Sequence, residues 1–186
     1  AHQTLPSFLH LPADGDWVAG RWARSRAPET PGRVVSSAKS WLVHHAADRR
    51  AKFLPFGSRD LSPETLLSPV EALAALLGAL ASAWNTDHPS APLADQSLAI
   101  TVPASFDPAA QQLTLEAASL AGFPSSTILL EEPQAAFYAW IENQGAGWRS
   151  QVDAGDLLLV CDIGGGTADF SLIAVSGREG DLELER

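Results

Sequence analysis

The feature that most constrains this fold is a run near the C-terminal end, where two apolar stretches flank three consecutive glycines. Residues 157–163 and 168–175 have the composition of β-strands, and residues 164–167 read Gly-Gly-Gly-Thr. Two strands joined by so short a turn predict a β-hairpin. Glycine allows positive φ and the close approach of a ligand, so successive N–H groups can bind phosphate oxygens. The run therefore predicts a phosphate-binding hairpin, with a tight turn that binds nothing as the alternative.

Two aspartates flank this turn. Asp162 lies where the first strand ends, and Asp169 follows just beyond the glycines. Both carboxylates can face the same phosphate, and two anions beside a third need a cation such as Mg²⁺ between them. The run lacks the Gly-Lys-Ser/Thr of a P-loop, and Asp169 stands where the dinucleotide fingerprint requires its last glycine. The pattern therefore predicts neither of these two phosphate-binding loops.

The composition favours a globular protein over a nucleic-acid-binding or membrane protein. The 186 residues are 46% hydrophobic, which is enough to form a core, and they carry a net charge of −10 without a basic cluster. No apolar stretch approaches the ~20 residues of a transmembrane helix. We therefore expect a soluble, cytoplasmic protein with no nucleic-acid or membrane partner. Because the single cysteine, Cys161, lies in an apolar strand, we expect a buried and unreactive thiol.

Strand and helix patterns alternate from residue 98 onward. Residues 98–102 form a strand-like run, and Asp107 and Pro108 then supply an N-cap and a proline at the first helical position. The helix that follows should end near Gly122. Its predicted apolar face consists of Leu113, Ala117 and Leu120.

A second strand and helix follow in the same order. Residues 127–130 predict a strand, and residues 131–143 predict a helix whose Phe137, Trp140 and Ile141 point inward. A linker rich in glycine and polar residues, 144–155, leads to the hairpin. This order of strands and helices is typical of the α/β class.

The first ninety residues have a different pattern. Short strands are predicted at 4–11 and 16–19, and residues 33–45 read as a helix. Ser68 begins a capping box with proline at the first helical position, which starts an Ala/Leu-rich helix. The pattern indicates a separate α+β subdomain that ends at the proline-containing stretch 86–95. Because the chain begins at Ala1 and contains no methionine, we expect it to be a fragment.

Four segments stand out in order along the chain: Ser-Ala-Lys-Ser-Trp-Leu at 37–42, Ile-Thr-Val-Pro-Ala-Ser-Phe-Asp at 100–107, Leu-Glu-Glu-Pro-Gln-Ala-Ala at 130–136, and the glycine hairpin. Taken in this order, they resemble the ATPase domain of the Hsp70 (DnaK-type) chaperones, in the actin-like ATPase superfamily.

The resemblance implies an α/β, actin-like ATPase (ribonuclease H-like) fold that is only partly present here and has an inserted α+β subdomain. Residues 1–93 would be this subdomain of lobe I, 94–150 the α/β part of lobe I, and 151–186 the start of lobe II.

The resemblance also assigns roles to individual residues. Lys39, Glu132 and Asp162 match catalytic positions of the family, and Asp162, Asp169 and Glu132 would contact magnesium through water. The residues that match the phosphate-binding loop are Gly164, Gly165, Gly166 and Thr167.

One further match concerns communication between domains. Pro103 matches a proline that in these chaperones relays the nucleotide state to a peptide-binding domain. The family usually has an arginine eight residues beyond this proline, whereas this chain has Gln111. This departure and several others indicate a divergent member.

The implied activity is ATP hydrolysis with ATP/ADP and Mg²⁺ as cofactors, by a chaperone of which this chain is one part. The implied partners are unfolded peptides, a J-domain co-chaperone and a nucleotide-exchange factor. The matching region lacks the first glycine hairpin and the adenosine-binding elements of the family, so we expect the fragment alone to bind ATP weakly. The alternatives are an MreB-like filament-forming ATPase, a small-molecule kinase and a pseudo-ATPase on the same fold.

Overall fold

The computed structural model describes residues 4–163, 168–178 and 181–185. The chain folds into two compact units, each of which is discontinuous in sequence. The first unit combines residues 1–98 with 107–127, and the second combines 99–106 with 128–186. Both contain helices and strands, so the predicted mixed α/β composition is confirmed at this level.

The first unit contains a small antiparallel sheet. Its strands are β1 (Phe8–His10), β2 (Val18–Ala19) and β3 (Val34–Ser36), with β1 in the centre. Helix α1 (Arg21–Arg26) follows β2, and the short helix α2 (Ala38–Trp41) follows β3.

The predicted helix over 33–45 is wrong in its first part. Val34 and Val35 belong to β3, where Val35 pairs with Leu9 of β1 and is 2% exposed. Branching at Cβ favours this extended, buried position over a helical one. Only Ala38–Trp41 is α-helical in this stretch.

The longest helix, α3 (Pro69–Asp87), begins where the capping box predicts. It packs against α4 (Pro108–Leu120), whose N-cap is Asp107 as predicted. None of the helices in the described ranges has both the length and the hydropathy needed to cross a membrane. The core of this unit is built from α2, α3, the sheet and Leu54; its buried members are Leu9, Val35, Ala38, Leu54, Ala72 and Leu76.

Helix α4 ends at the predicted glycine, but the last residue of its predicted apolar face is not buried. Gly122 has φ +82°, and the N–H of Phe123 donates to the carbonyl of Ala118 at 3.0 Å. Leu113 and Ala117 are buried, whereas Leu120 is 64% exposed. Leu120 therefore continues the helical repeat without being buried, because none of the described elements covers the final turn of α4.

The second unit begins with a parallel pair, β4 (Ala99–Val102) and β5 (Ile128–Glu131). Helix α5 (Glu132–Gln144) follows β5 directly, and a 3₁₀ helix occupies Gly145–Ser150.

The predicted strand pair belongs to a three-stranded antiparallel sheet. Its strands are β6 (Leu157–Ile163), β7 (Ala168–Arg178) and β8 (Asp181–Glu185), in the order β6-β7-β8. Strand β8 is an addition to the sequence prediction. One face of the sheet packs with α5 and the 3₁₀ helix in a core that contains Trp148, Val152 and Val175, with Trp140, Ile141 and Leu158 partly buried beside it.

Candidate functional site

The predicted glycine hairpin is a hairpin in the structure. Strands β6 and β7 pair without a break from Leu157 opposite Ala174 to Ile163 opposite Ala168. Four residues remain to join the strands, which is the length of a tight connection. These four, Gly164, Gly165, Gly166 and Thr167, lie outside the described residues, so their phosphate-binding role stays a prediction.

The last pairs before the turn place the two aspartates opposite each other. Asp162 of β6 pairs with Asp169 of β7. Like charges at directly opposed positions destabilise a strand pair by roughly 0.2–1 kcal/mol, which a cation between them would offset. Carboxylate oxygens are the donors that Mg²⁺ prefers. The donor chemistry of this register position therefore fits a magnesium ion.

Asp162 lies on the less exposed face of β6. Exposure alternates along the strand, and Asp162 shares the half-buried face with Leu158 and Val160. Helix α5 packs against β6. The carboxylate of Asp162 is therefore partly shielded from bulk water, which strengthens its electrostatic interaction with a bound cation.

Glu132 is the first residue of α5 and follows β5 without an intervening loop. It is half-buried, and the next residue, Pro133, is fully buried. A carboxylate in the first turn is stabilised by the helix dipole. Glu132 and Asp162 belong to the same unit, and their elements α5 and β6 are in contact.

The described side chains contain no group of three His, Cys, Asp or Glu residues able to hold a metal ion directly. The predicted role, in which Glu132, Asp162 and Asp169 contact magnesium through water, requires no such cluster. The side chain of Asp169 lies outside the described part of the chain.

Lys39 lies in α2 of the first unit and is half-buried. Buried neighbours of Lys39 hold this short helix in place, since Ala38 is 1% exposed and Leu42 is fully buried. The residue before the helix, Ser37, has φ 55° and ψ 37°, and no other non-glycine residue in the described ranges has a positive φ. This left-handed conformation costs a serine about 1–2 kcal/mol.

Ser37 is the structural feature near Lys39 that the sequence analysis missed. Serine is not a residue that commonly adopts positive φ, so the sequence carried no signal for it. Strained backbone persists where the surrounding structure fixes it, and it is frequent at functional sites.

Pro103 is fully buried at the end of β4. Its carbonyl accepts a hydrogen bond from the N–H of Phe106 at 3.0 Å, so the chain turns tightly here. Gln111 lies in the first turns of α4, where its backbone N–H donates to the carbonyl of Asp107 at 3.0 Å. The predicted relay role of Pro103 stays a prediction.

The expectation of a buried Cys161 is wrong, because the thiol is exposed. The run 157–163 is apolar at nearly every position, which is typical of a strand buried on both faces. The described residues cover only one face of β6, so Cys161 lies on the exposed face with Leu159 and Ile163.

Comparison with known proteins gives one family match over nearly the whole chain. The family model described as Hsp70 protein matches residues 1–185. Among curated relatives, heat shock 70 kDa protein BIP3 of Oryza sativa subsp. japonica is 32% identical over 195 residues, which cover 95% of this chain and 27% of that protein.

Bacterial relatives have similar identities. Chaperone protein HscA of Citrobacter koseri is 36% identical over 182 residues, and that of Cronobacter sakazakii is 35% identical over 184 residues. Each alignment covers 92% of this chain and 27% of the relative. The chain thus spans about a quarter of the length of the curated relatives it matches.

Proposed function

We propose that this chain, which belongs to the Hsp70 family, is part of the nucleotide-binding domain of a chaperone that binds and hydrolyses ATP. The family match confirms the resemblance indicated by the four sequence segments. Membership implies the actin-like ATPase fold. The mixed α/β composition of both units is consistent with that fold. The names of the relatives, a heat shock protein and two HscA chaperones, support the chaperone assignment.

The observation that carries the proposal is the register of the hairpin. Asp162 pairs with Asp169, one pair before the end of the ladder, and the four-residue connection has the sequence Gly-Gly-Gly-Thr. By itself, the pairing of two aspartates does not stabilise the hairpin. The pairing becomes favourable when a cation and a phosphate group bind beside the turn.

The chemistry that these residues support is the transfer of a phosphoryl group to water. Its transition state is loose, so catalysis depends on positioning and charge stabilisation more than on covalent bonds. Magnesium, when bound, neutralises phosphate charge. Lys39 would neutralise charge that develops on the terminal phosphate, while Glu132 and Asp162 would orient water for in-line attack.

The remaining residues of the site would bind the substrate. Backbone N–H groups of Gly164, Gly165, Gly166 and Thr167 would donate to phosphate oxygens, and the three glycines have no side chain to block the approach. Asp169 would assist Asp162 in holding the waters around the magnesium ion.

The proposal includes the architecture and partners that the family implies. Residues 1–93 would form the inserted subdomain of lobe I, 94–150 the rest of that lobe in this chain, and 151–186 the start of lobe II. The partners would be unfolded peptides, a J-domain co-chaperone and an exchange factor, in the cytoplasm. Because Gln111 stands where the family usually has an arginine, the relay through Pro103 would not operate in the family's usual way.

The decisive experiment is a phosphate-release assay on the longer protein of which we propose this chain to be a part. Removing the Asp162 carboxylate with Asp162→Asn should lower kcat roughly a hundredfold or more, since it removes a preorganised charge from the site. Lys39→Ala should have a comparable effect. Asp153→Asn, at an exposed position of the same unit, removes the same charge and should leave kcat unchanged.

Three observations on the longer protein would contradict the proposal. Hydrolysis that is equally fast in Asp162→Asn and Asp153→Asn rules out the hairpin as the site. Transfer of phosphate to a small-molecule acceptor instead of water indicates a kinase. Nucleotide-dependent polymerisation of the wild type indicates a filament protein.

The 186-residue chain by itself should bind Mg·ATP weakly, because the hairpin supplies phosphate contacts alone. Isothermal titration of the chain with Mg·ATP measures this directly. Binding in the low micromolar range would show that these residues already form a complete nucleotide site.

A further inference from the structure

The connection between β3 and α2 is a single residue. Strand β3 ends at Ser36, helix α2 begins at Ala38, and only Ser37 lies between them. Its φ of 55° and ψ of 37° are left-handed, a conformation that no other non-glycine residue adopts in the parts of the chain that the structure describes. Because each residue has only these two soft angles, the conformation of Ser37 sets the direction in which α2 leaves the strand.

Buried side chains hold both sides of this connection. On the strand side, Val35 pairs with Leu9 of β1 and is 2% exposed. On the helix side, Ala38 is 1% exposed and Leu42 is fully buried. Neither side can shift without exposing apolar surface, so the turn is maintained although its conformation is unfavourable for serine.

The side chain of Ser37 contributes little to the turn. It is exposed, and its hydroxyl does not cap α2. The backbone closes the first turn of the helix instead, since the N–H of Ser40 donates to the carbonyl of Ser37 at 2.9 Å. A helix of a single turn is not stable by itself, so its direction depends on the residues that flank it. The important property of Ser37 is therefore its backbone conformation.

We propose that Ser37 is a positioning residue for Lys39, an inference that rests on the proposed function. Lys39 is the second residue of α2, two positions beyond the turn. A rotation of the backbone at Ser37 would move Lys39 together with the helix. Misplacing a catalytic group by about 1 Å can lower a rate roughly a hundredfold. The left-handed turn therefore governs whether the ammonium group of Lys39 reaches the terminal phosphate.

Phosphate-release kinetics of the longer protein test this proposal with residues that differ in their tolerance of positive φ. Valine is branched at Cβ and disfavours the left-handed conformation, so Ser37→Val should rotate the turn. It should lower kcat roughly tenfold or more and change KM for ATP less than about twofold. Ser40→Val is the matched control, because it introduces the same side chain at an exposed position of the same helix and should leave kcat unchanged.

Two conservative variants should restore the turn. Asparagine and glycine both adopt positive φ, so Ser37→Asn and Ser37→Gly should retain kcat within about threefold of the wild type. Ser37→Gly should also raise the melting temperature of the 186-residue chain by a few degrees, because it removes the strain of the serine.

A double-mutant cycle separates positioning from a general structural effect. If Ser37 acts through Lys39, Ser37→Val should lower kcat no further once Lys39→Ala has removed the ammonium group. A structural defect would instead lower kcat by the same factor in both backgrounds. The melting curve of each variant shows whether its fold is retained. If Ser37→Val does not fold, Ser37→Thr is a milder β-branched change that keeps the hydroxyl, and it should lower kcat only when Lys39 is present.

Three results would overturn the proposal while leaving the proposed function intact. They are a wild-type kcat in folded Ser37→Val, a loss of kcat in Ser37→Asn and Ser37→Gly as large as in Ser37→Val, and a loss that is undiminished in the Lys39→Ala background. A wild-type kcat in Lys39→Ala is a different failure, because it contradicts the role of Lys39 in the proposed function and leaves Ser37 no catalytic group to position.

Discussion

Arg49 donates two hydrogen bonds to Asp107 across 58 positions of sequence, at 3.1 Å and 3.0 Å. Asp107 is also the N-cap of α4, since its carboxylate accepts from the N–H of Ala110 at 2.6 Å. The next residue along, Arg50, forms a second two-pronged pair with Glu116 of the same helix. Two neighbouring arginines thus connect the segment after α2 to α4 through ion pairs.

Replacing Asp107 should remove the ion pair between Arg49 and the start of α4. Asp107→Asn removes the charge of the pair with Arg49 while asparagine can still cap the helix, so we expect a melting temperature several degrees below wild type from the loss of the pair. Asp14→Asn removes the same charge from an exposed loop and should leave the melting temperature unchanged. Equal melting curves for the two variants would contradict the assigned role of the pair.

Asp107 also predicts a dependence of stability on acid. The hydrogen bonds from Arg49, followed by that from the backbone of Ala110, lower the pKa of Asp107 to about 2. A carboxyl group whose pKa is lowered on folding contributes stability above its unfolded pKa, about 3.9, and loses it as pH falls toward 2. Urea denaturation at pH values from about 5 to about 2 measures this loss. The free energy of unfolding should fall less steeply with decreasing pH in Asp107→Asn than in the wild type.

The capping box of α3 should contribute measurable stability. The hydroxyl of Ser68 accepts from the N–H of Glu71 at 3.1 Å, and Glu71 accepts from the N–H of Ser68 at 2.8 Å. Ser68→Ala should lower the free energy of unfolding by about 1–2 kcal/mol, as measured by urea denaturation. Ser82→Ala, at an exposed position within the same helix, should be neutral or slightly stabilising.

His10 should make the first unit less stable in mild acid. The ring is 5% exposed, and its Nε2 lies 3.1 Å from the hydroxyl of Thr30. Burial, and then the positive charges of Arg33 and Arg26, lower the pKa of His10 below its usual 6.5. The unfolded chain therefore takes up the proton first, so the free energy of unfolding should decrease as pH falls below about 6.5.

The matched variants for this effect are His10→Gln and His44→Gln. The first removes the buried group and should flatten the stability profile between pH ~7 and ~5. His44 is exposed, so its replacement should preserve the slope. A pH dependence of stability that persists in His10→Gln would show that a group other than His10 causes it.

One substitution should have opposite effects at two glycines. An alanine Cβ would meet no atom within 4 Å at either Gly78 or Gly122. Gly78 lies within α3, where alanine should stabilise by up to about 1 kcal/mol. Gly122 has φ +82°, where alanine should destabilise by about 1–2 kcal/mol. Thermal unfolding of Gly78→Ala and Gly122→Ala checks both signs against the wild type.

The parts of the fold that local chemistry governs were predictable. The starts of α3 and α4 follow from Ser68 and Asp107, whose side chains bond backbone groups within the next turn. The hairpin of β6 and β7 follows from two apolar runs around glycines. These signals lie within a few residues of the structure that they determine.

The errors lie where long-range contacts decide. Residues 34–36 form β3 because β1, which is distant in sequence, offers backbone groups and a buried site for Val35. Leu120 and Cys161 are exposed because no element in the described part of the chain covers them, which their own neighbours in sequence cannot indicate. The Arg49–Asp107 pair and the positive φ of Ser37 likewise carry no local sequence signal.

By itself, the sequence determined the candidate chemistry of this protein: the glycine turn, its two aspartates, and the motifs around Lys39 and Glu132 that indicate a family. Tertiary structure alone decided which face of β6 is covered by other described elements. The physical reason is that residue type and spacing fix which groups are available and the short turn fixes the register of the hairpin, whereas burial depends on contacts between segments that are far apart in the chain.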